Sequence, residues 1–319
     1  MRAATAPSGT VLPMTPPPSG QQFSIGHGEQ RAVIVEVGGG IREYRVGDRD
    51  VLEPYAVTAM SDGGRGAALI PWPNRLADGK YRFDGVDHQL ALSEPGKHNA
   101  IHGLLRWRPW RATEHEQDEV TMRATLHPSK GYPFQLELAV RYALSDQGLT
   151  VTTTASNLGD TPAPYGCGHH PYLSPGPGPI DAATLRFAAA TRIVSDPDRQ
   201  LPVGTEPVPG TAFDFTAPKP LGGLVIDHPF TDLARDEHGR AWVRLQGADG
   251  AVAELWVDDS YPVIQLFTGD TLPAPRRRTG LAAEPMTCPP NAFQSGDRLI
   301  RLAPGDTVAT RWGARLTRP

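Results

Sequence analysis

The sequence predicts an all-β fold, a large antiparallel β-sandwich closed as a single domain, and three observations carry that expectation. Period-two alternation of apolar and polar residues keeps returning along the chain, thirty-four glycines and thirty-three prolines punctuate it throughout, and no long amphipathic helical stretch competes. Successive side chains of a strand point to opposite faces, so a half-buried strand writes itself as alternation. A helical bundle would not tolerate glycine and proline at this density, whereas a many-stranded sandwich uses them in its turns. The 319 residues suit one such unit, because sandwiches and barrels often run this long undivided. No repeat of fixed period is present.

Taken in chain order, residues 1–22 are rich in Pro, Ser, Thr and Ala without periodicity and read as a flexible tail, leaving 23–319 as the folded domain. The stretch GKYRFDG (79–85) reads as a hairpin turning on Asp84-Gly85. Strands follow in VTMRATL (120–126), FQLELAVRYAL (134–144) and LTVTTTASN (149–157), then in AWVRLQ (241–246) and AVAELWV (251–257). In the second of these Phe134, Leu136, Leu138, Val140 and Tyr142 share one face while Gln135, Glu137 and Arg141 share the other.

Composition narrows the function. Hydrophobic residues at 39% and charged residues at 21% are an ordinary globular balance that can bury a large core. A net charge of -4 and a pI near 6.2 offer no basic field for nucleic acid or an anionic membrane. No apolar run approaches the roughly 18 residues that span a bilayer, and the first twenty residues lack the apolar segment of a signal peptide. Two cysteines far apart, Cys167 and Cys288, form no disulfide framework and read as small buried hydrophobes. A cytoplasmic protein with a small neutral partner is the expectation.

Five segments hold polar residues that alternation does not explain. PWPNRLADG (71–79) places Asn74 and Arg75 after a Pro-Trp-Pro stretch, where either a surface turn or a site fits. In NAIHGLLRWRPW (99–110), His102 stands before a glycine, and Trp107 and Trp110 read as core or as a platform for the apolar face of a ring, with core weighing more. GCGHHPYLSP (166–175) sets His169 beside His170, whose side chains should leave a strand on opposite faces, one into a pocket and one into packing. A zinc site from Cys167, one of these histidines and Cys288 lacks the compact spacing of structural sites, so no metal is expected. VIDHPFTDL (225–233) presents Asp227, which also suits a turn. Gln265 lies in the apolar YPVIQLFTGD (261–270), and Glu284 lies in LAAEPMTCPPNAF (281–293), where desolvation should raise its pKa toward the range of a useful base.

Together these segments resemble the aldose 1-epimerase (galactose mutarotase) family. PNR, IHG, HPY, DHPF, QLFTG and EP followed by NAF occur in the family's order over nearly the whole chain after the tail. Each is short, and the specificity lies in their joint order. The resemblance implies the galactose mutarotase-like supersandwich, no cofactor, a monosaccharide substrate, a monomer or homodimer, and interconversion of α and β anomers. Carried over by motif, His170 corresponds to the general acid and Glu284 to the general base, with Asn74, Arg75, His102, Asp227 and Gln265 holding the sugar. Asp227 is expected to favour the imidazolium form of His170. Two rivals stand beside this reading: a hexose-6-phosphate mutarotase using Arg106 and Arg108 or the solvated-looking Arg276–Arg278 run, and a carbohydrate-binding sandwich without catalysis.

Overall fold

The computed structural model describes residues 16–319. Every strand expected from alternation forms, as Glu119–Leu126, Leu136–Ser145, Gly148–Asn157, Ala241–Gln246 and Val252–Val257. In Leu136–Ser145 the side chains of Leu136, Leu138, Val140, Tyr142 and Leu144 are buried and those between them are not. Each buried aliphatic side chain on that face contributes roughly 1.5–3 kcal/mol against the entropy of ordering it. The expected hairpin pairs Lys80–Phe83 with Val86–Gln89, and its two turn residues, Asp84 and Gly85, take φ of 49° and 81°, as a turn that matches strand twist requires.

Two large antiparallel sheets make the sandwich. The nine-stranded sheet places Gly148–Asn157, Thr307–Thr317 and Val252–Val257 at its centre. The twelve-stranded sheet carries Tyr172–Leu173, Leu281–Met286, Val263–Phe267 and Asp227–Leu233 side by side. One hydrophobic cluster fills the space between them, reaching from Phe23 to Ala314. Burial of all six residues of Leu281–Met286 marks this as a central strand covered on both faces, which is why it does not alternate.

The tail expectation changes at its end. Residues 1–15 lie outside the described residues, but Ser19 is buried and Gln22 opens the first strand. Gln21 donates its N–H to Glu36 Oε2 at 2.9 Å, and Val37 donates to the Ser19 carbonyl at 3.0 Å, so backbone pairing fastens this polar segment to the sheet where composition alone suggested coil. The arginine run also differs from the solvated loop expected. Arg278 is paired with Asp181 and Asp270 at 3.1 and 2.8 Å, and Arg276 lies 3.6 Å from Glu53; of the three, only Arg277 is exposed. Cys167 and Cys288 are buried free thiols. Burial pushes Cys288 up to about 12, leaving it unreactive.

Candidate active site

Strand register brings the site together. Gln265 is paired with Glu284 across adjacent antiparallel strands, and Pro229 is paired with Gln265 on the other side. Asp227, two residues before Pro229, therefore shares the face that carries Gln265 and Glu284. Gly168 is opposite Met286; continuing that antiparallel register by two residues sets His170 opposite Glu284. The second histidine goes the other way. His169 is 1% exposed and turned into the space between the sheets, where its Nε2 lies 2.8 Å from Thr153 Oγ1 and its ring packs on Trp312.

A third piece comes from the short ladder of Arg75–Ala77 with Asn99–Ile101. One step beyond it, Asn74 and His102 face each other: His102 donates its N–H to the Asn74 carbonyl at 2.9 Å, and the Asn74 N–H donates to His102 Nδ1 at 3.1 Å. Accepting at Nδ1 leaves the proton of a neutral His102 on Nε2. Both residues hold positive φ, 54° and 61°. The NAF motif serves this ladder: the Ala77 N–H donates to Asn291 Oδ1 at 3.0 Å, and the Asn291 N–H donates to the Arg75 carbonyl at 2.7 Å.

These residues surround a cleft of about 530 Å³, within the range typical of small-molecule sites. All seven residues named from the sequence line it: Asn74, Arg75, His102, His170, Asp227, Gln265 and Glu284. His170 Nε2 is 3.3 Å from Glu284 Oε1, and the side chains are 6% and 3% exposed. Asp227 Oδ1 accepts from Gln265 Nε2 at 2.6 Å, and its other oxygen accepts from the Gln200 amide. Arg75 grips Glu94 through two hydrogen bonds of 2.8 and 2.9 Å. His170 stacks on Tyr172 with ring centroids 5.0 Å apart, and Gly64 lies close against the imidazole. At φ +75°, a Cβ on Gly64 would fall 2.5 Å from His170 Cδ2, so only glycine leaves the imidazole where it stands.

Burial governs the protons. It pushes Glu284 well above the usual carboxylate range, and the Asp227 carboxylate adds to the rise. It also lowers His170 to about 3, helped by the guanidinium groups of Arg106 and Arg65. This corrects the sequence expectation for Asp227: its charge bears on Glu284, while arginines dominate the surroundings of His170 and hold the imidazole neutral. The two shifts run in opposite directions, and burial favours the neutral form of each partner. Glu284 Oε2 and His170 Nδ1 are buried without hydrogen-bond partners among the described residues.

Among the described residues, the grouped potential metal ligands do not include Cys167 or Cys288, the cysteines of the set considered from the sequence. Among the described residues, His102, His170 and Glu284 instead each present a potential ligand atom, all within 4.8 Å of one another. Sequence reasoning missed several lining residues, among them Glu94, Lys97 and Gln200. They come from polar turns whose composition is indistinguishable from solvated loop. Trp110 is core as expected, but Trp107 is 54% exposed and stands on the cleft wall. Arg106 also lines the cleft, whereas Arg108 is exposed.

A two-sheet supersandwich with a polar, acid–base-bearing cleft over one sheet defines a protein of the galactose mutarotase-like fold. A crystal structure of a GalM/aldose epimerase homologue from C. elegans superposes with a TM-score of 0.82 at 19% identity, covering 93% of this chain and 99% of that one. A putative aldose 1-epimerase from Escherichia coli K12 superposes with a TM-score of 0.79 at 21% identity, over 94% and 99% of the two chains. The family described as aldose 1-epimerase matches residues 21–313. The chain belongs to that family. Its similarity to the E. coli K12 protein named YihR, described as uncharacterized, is 37% identity over 90% of each chain. Human galactose mutarotase is 29% identical over 65% of this chain and 63% of its own length.

Proposed function

We propose that this protein is an aldose 1-epimerase that interconverts the α and β anomers of an aldose with a free anomeric hydroxyl. The observation that carries the reading is the buried His170–Glu284 contact of 3.3 Å at a cleft lined with hydroxyl-binding groups. Opening a hemiacetal requires removal of the O1 proton and delivery of a proton to O5. O1 and O5 are both bonded to C1, so base and acid need stand only a few ångströms apart.

Glu284 takes the O1 proton and His170 protonates O5 as the C1–O5 bond breaks and the C1=O1 bond forms. Rotation about C1–C2 presents the opposite carbonyl face, and on closure the two groups exchange roles. This step uses the pair as carboxylate and imidazolium, a form that one proton shared across their contact supplies. His102 Nε2–H and the Asn74 and Gln265 amides serve as donors to ring hydroxyls, Asp227 serves as an acceptor, and Arg75, fixed by Glu94, lines the same wall. Acid and base suffice for this chemistry.

The reading includes a monomer or homodimer acting on a monosaccharide in carbohydrate metabolism, with no nucleic-acid or membrane partner. It includes the cytoplasm as its place, for which the two buried free thiols suit a reducing compartment. An assay of anomer equilibration over galactose, glucose, arabinose and xylose tests the function. Acceleration abolished by Glu284→Gln is the expected result. Sugar binding with no acceleration would instead mark a carbohydrate-binding sandwich and refute the enzyme.

A further inference from the structure

We propose that Arg199, which stands outside the cleft, is a positioning residue for the sugar: it clamps the loop tip that carries Gln200 against the segment that carries Glu94 and Lys97, and so fixes the Asp227 and Arg75 side chains. The inference rests on the reading of Asp227 and Arg75 as sugar-facing groups of the epimerase.

The tip depends on such a clamp. It joins Ala189–Ser195 to Pro202–Pro207, and the second of these strands is the last in its sheet. None of residues 196–207 is buried, so the segment has little to hold it except polar bonds. Within the tip, the Asp196 carboxylate accepts from the Arg199 N–H at 2.7 Å and from the Leu201 N–H at 2.9 Å. In the turn so shaped Gln200 takes a φ of 55°, a conformation that a residue with a side chain keeps only where its surroundings enforce it.

The Arg199 guanidinium supplies the hold. Its Nε donates to the Lys97 carbonyl at 3.1 Å, and its Nη2 donates to the His98 carbonyl at 2.8 Å, to Asp78 Oδ1 at 2.9 Å and to Asn99 Oδ1 at 3.2 Å. Asn99, which is fully buried, donates in return from Nδ2 to the Arg199 carbonyl at 2.9 Å.

Both sides of the clamp end on groups that line the cleft. On one side Gln200 bridges Lys97 and Asp227. The lysine can only donate and the carboxylate only accept, so the amide oxygen turns to Lys97 and the amide nitrogen to Asp227. With Gln265 on its other oxygen, Asp227 is fixed at both. On the other side Asn99 Nδ2 donates to Glu94 Oε2 at 3.2 Å, and Glu94 holds Arg75. Arg199 does not itself line the cleft, and His170 and Glu284 are carried by other strands. Its loss should therefore weaken sugar binding and spare the chemical step.

The test uses the full chain as wild type, Arg199→Gln and Arg199→Lys, with whichever of galactose, glucose, arabinose and xylose the wild type turns over fastest. Anomer exchange by NMR gives kcat and KM, and amide hydrogen exchange read by mass spectrometry follows the tip. Arg199→Gln should raise KM by about tenfold or more while kcat stays within about threefold of wild type, with faster amide exchange confined to the tip and the segment it faces. Arg199→Lys keeps the charge without the planar fork and should recover part of the KM. An unchanged KM in Arg199→Gln would overturn the proposal. Faster exchange spread over the whole chain would overturn it too, because Arg199 would then be a merely structural residue. If Arg199→Gln fails to fold, Asp78→Asn takes its place by weakening a single contact of the clamp: KM should rise by about twofold or more, and an unaltered KM would overturn the proposal. A wild type that accelerates none of the four sugars brings down the epimerase reading instead. The clamp is then judged by calorimetric Kd for the same sugars, where equal values for wild type and Arg199→Gln, or no binding by either, would overturn it.

Discussion

His169 should make this protein lose stability in mild acid by an amount that one substitution removes. Its imidazole is 1% exposed and burial lowers it from the usual 6.5 to about 3. A depressed folded pKa means that the unfolded chain binds the proton first, so stability is complete above the unfolded value and drains as pH falls toward the folded one. Going from about pH 7 to about pH 5 lies within that window, and the linked loss is about 2 kcal/mol from this side chain, at about 1.4 kcal/mol per pH unit below 6.5. His169→Gln keeps a polar group within reach of Thr153 and cannot titrate. Whatever fixed penalty that change carries, the stability gap between variant and wild type should close by about 2 kcal/mol over the same pH interval. Urea unfolding of both proteins at the two pH values measures it. A gap that stays constant would mean that His169 titrates normally, and the burial argument for the pair of histidines would be wrong.

Further outcomes follow from the cleft. Glu284→Gln and His170→Asn should each lower kcat by at least about 10²-fold with the fold intact, read by NMR anomer exchange; near wild-type turnover in either would remove it from the acid–base pair. Because burial holds His170 near 3, kcat/KM should not fall through a limb near 6.5 as the pH drops from about 7 to about 5 while the protein remains folded; an acid limb near 6.5 would contradict the depressed imidazole. Gly64→Ala should cost about tenfold or more in kcat by displacing the His170 ring, with circular dichroism unchanged; full activity would show that the ring tolerates the added methyl. Gln200→Ala, which removes one support of Asp227, should raise KM more than it lowers kcat, and an unaltered KM would exclude it from sugar binding.

The fold was legible because its physics is local. Alternation in Leu136–Ser145 and the Asp84-Gly85 turn need only the pleat and the backbone preferences of a few neighbours. Glu284 was recognisable because a carboxylate among apolar residues is costly wherever it occurs, and motif order gathered the remaining site residues through the family resemblance. Composition misjudged Trp107, Arg276, Arg278 and the stretch after Pro17, since exposure and ion pairing depend on partners remote in sequence.

The chain alone therefore determined the layered β architecture, the residues proposed to move protons, and the divergence of His169 from His170, which adjacency in a strand imposes. Only the tertiary structure decided the charge pattern. It set Asp227 against Glu284 rather than His170, closed Arg75 on Glu94, and left Arg106 without an ion-pair partner among the described residues, because Coulomb interactions and desolvation depend on distance and burial that sequence spacing does not encode.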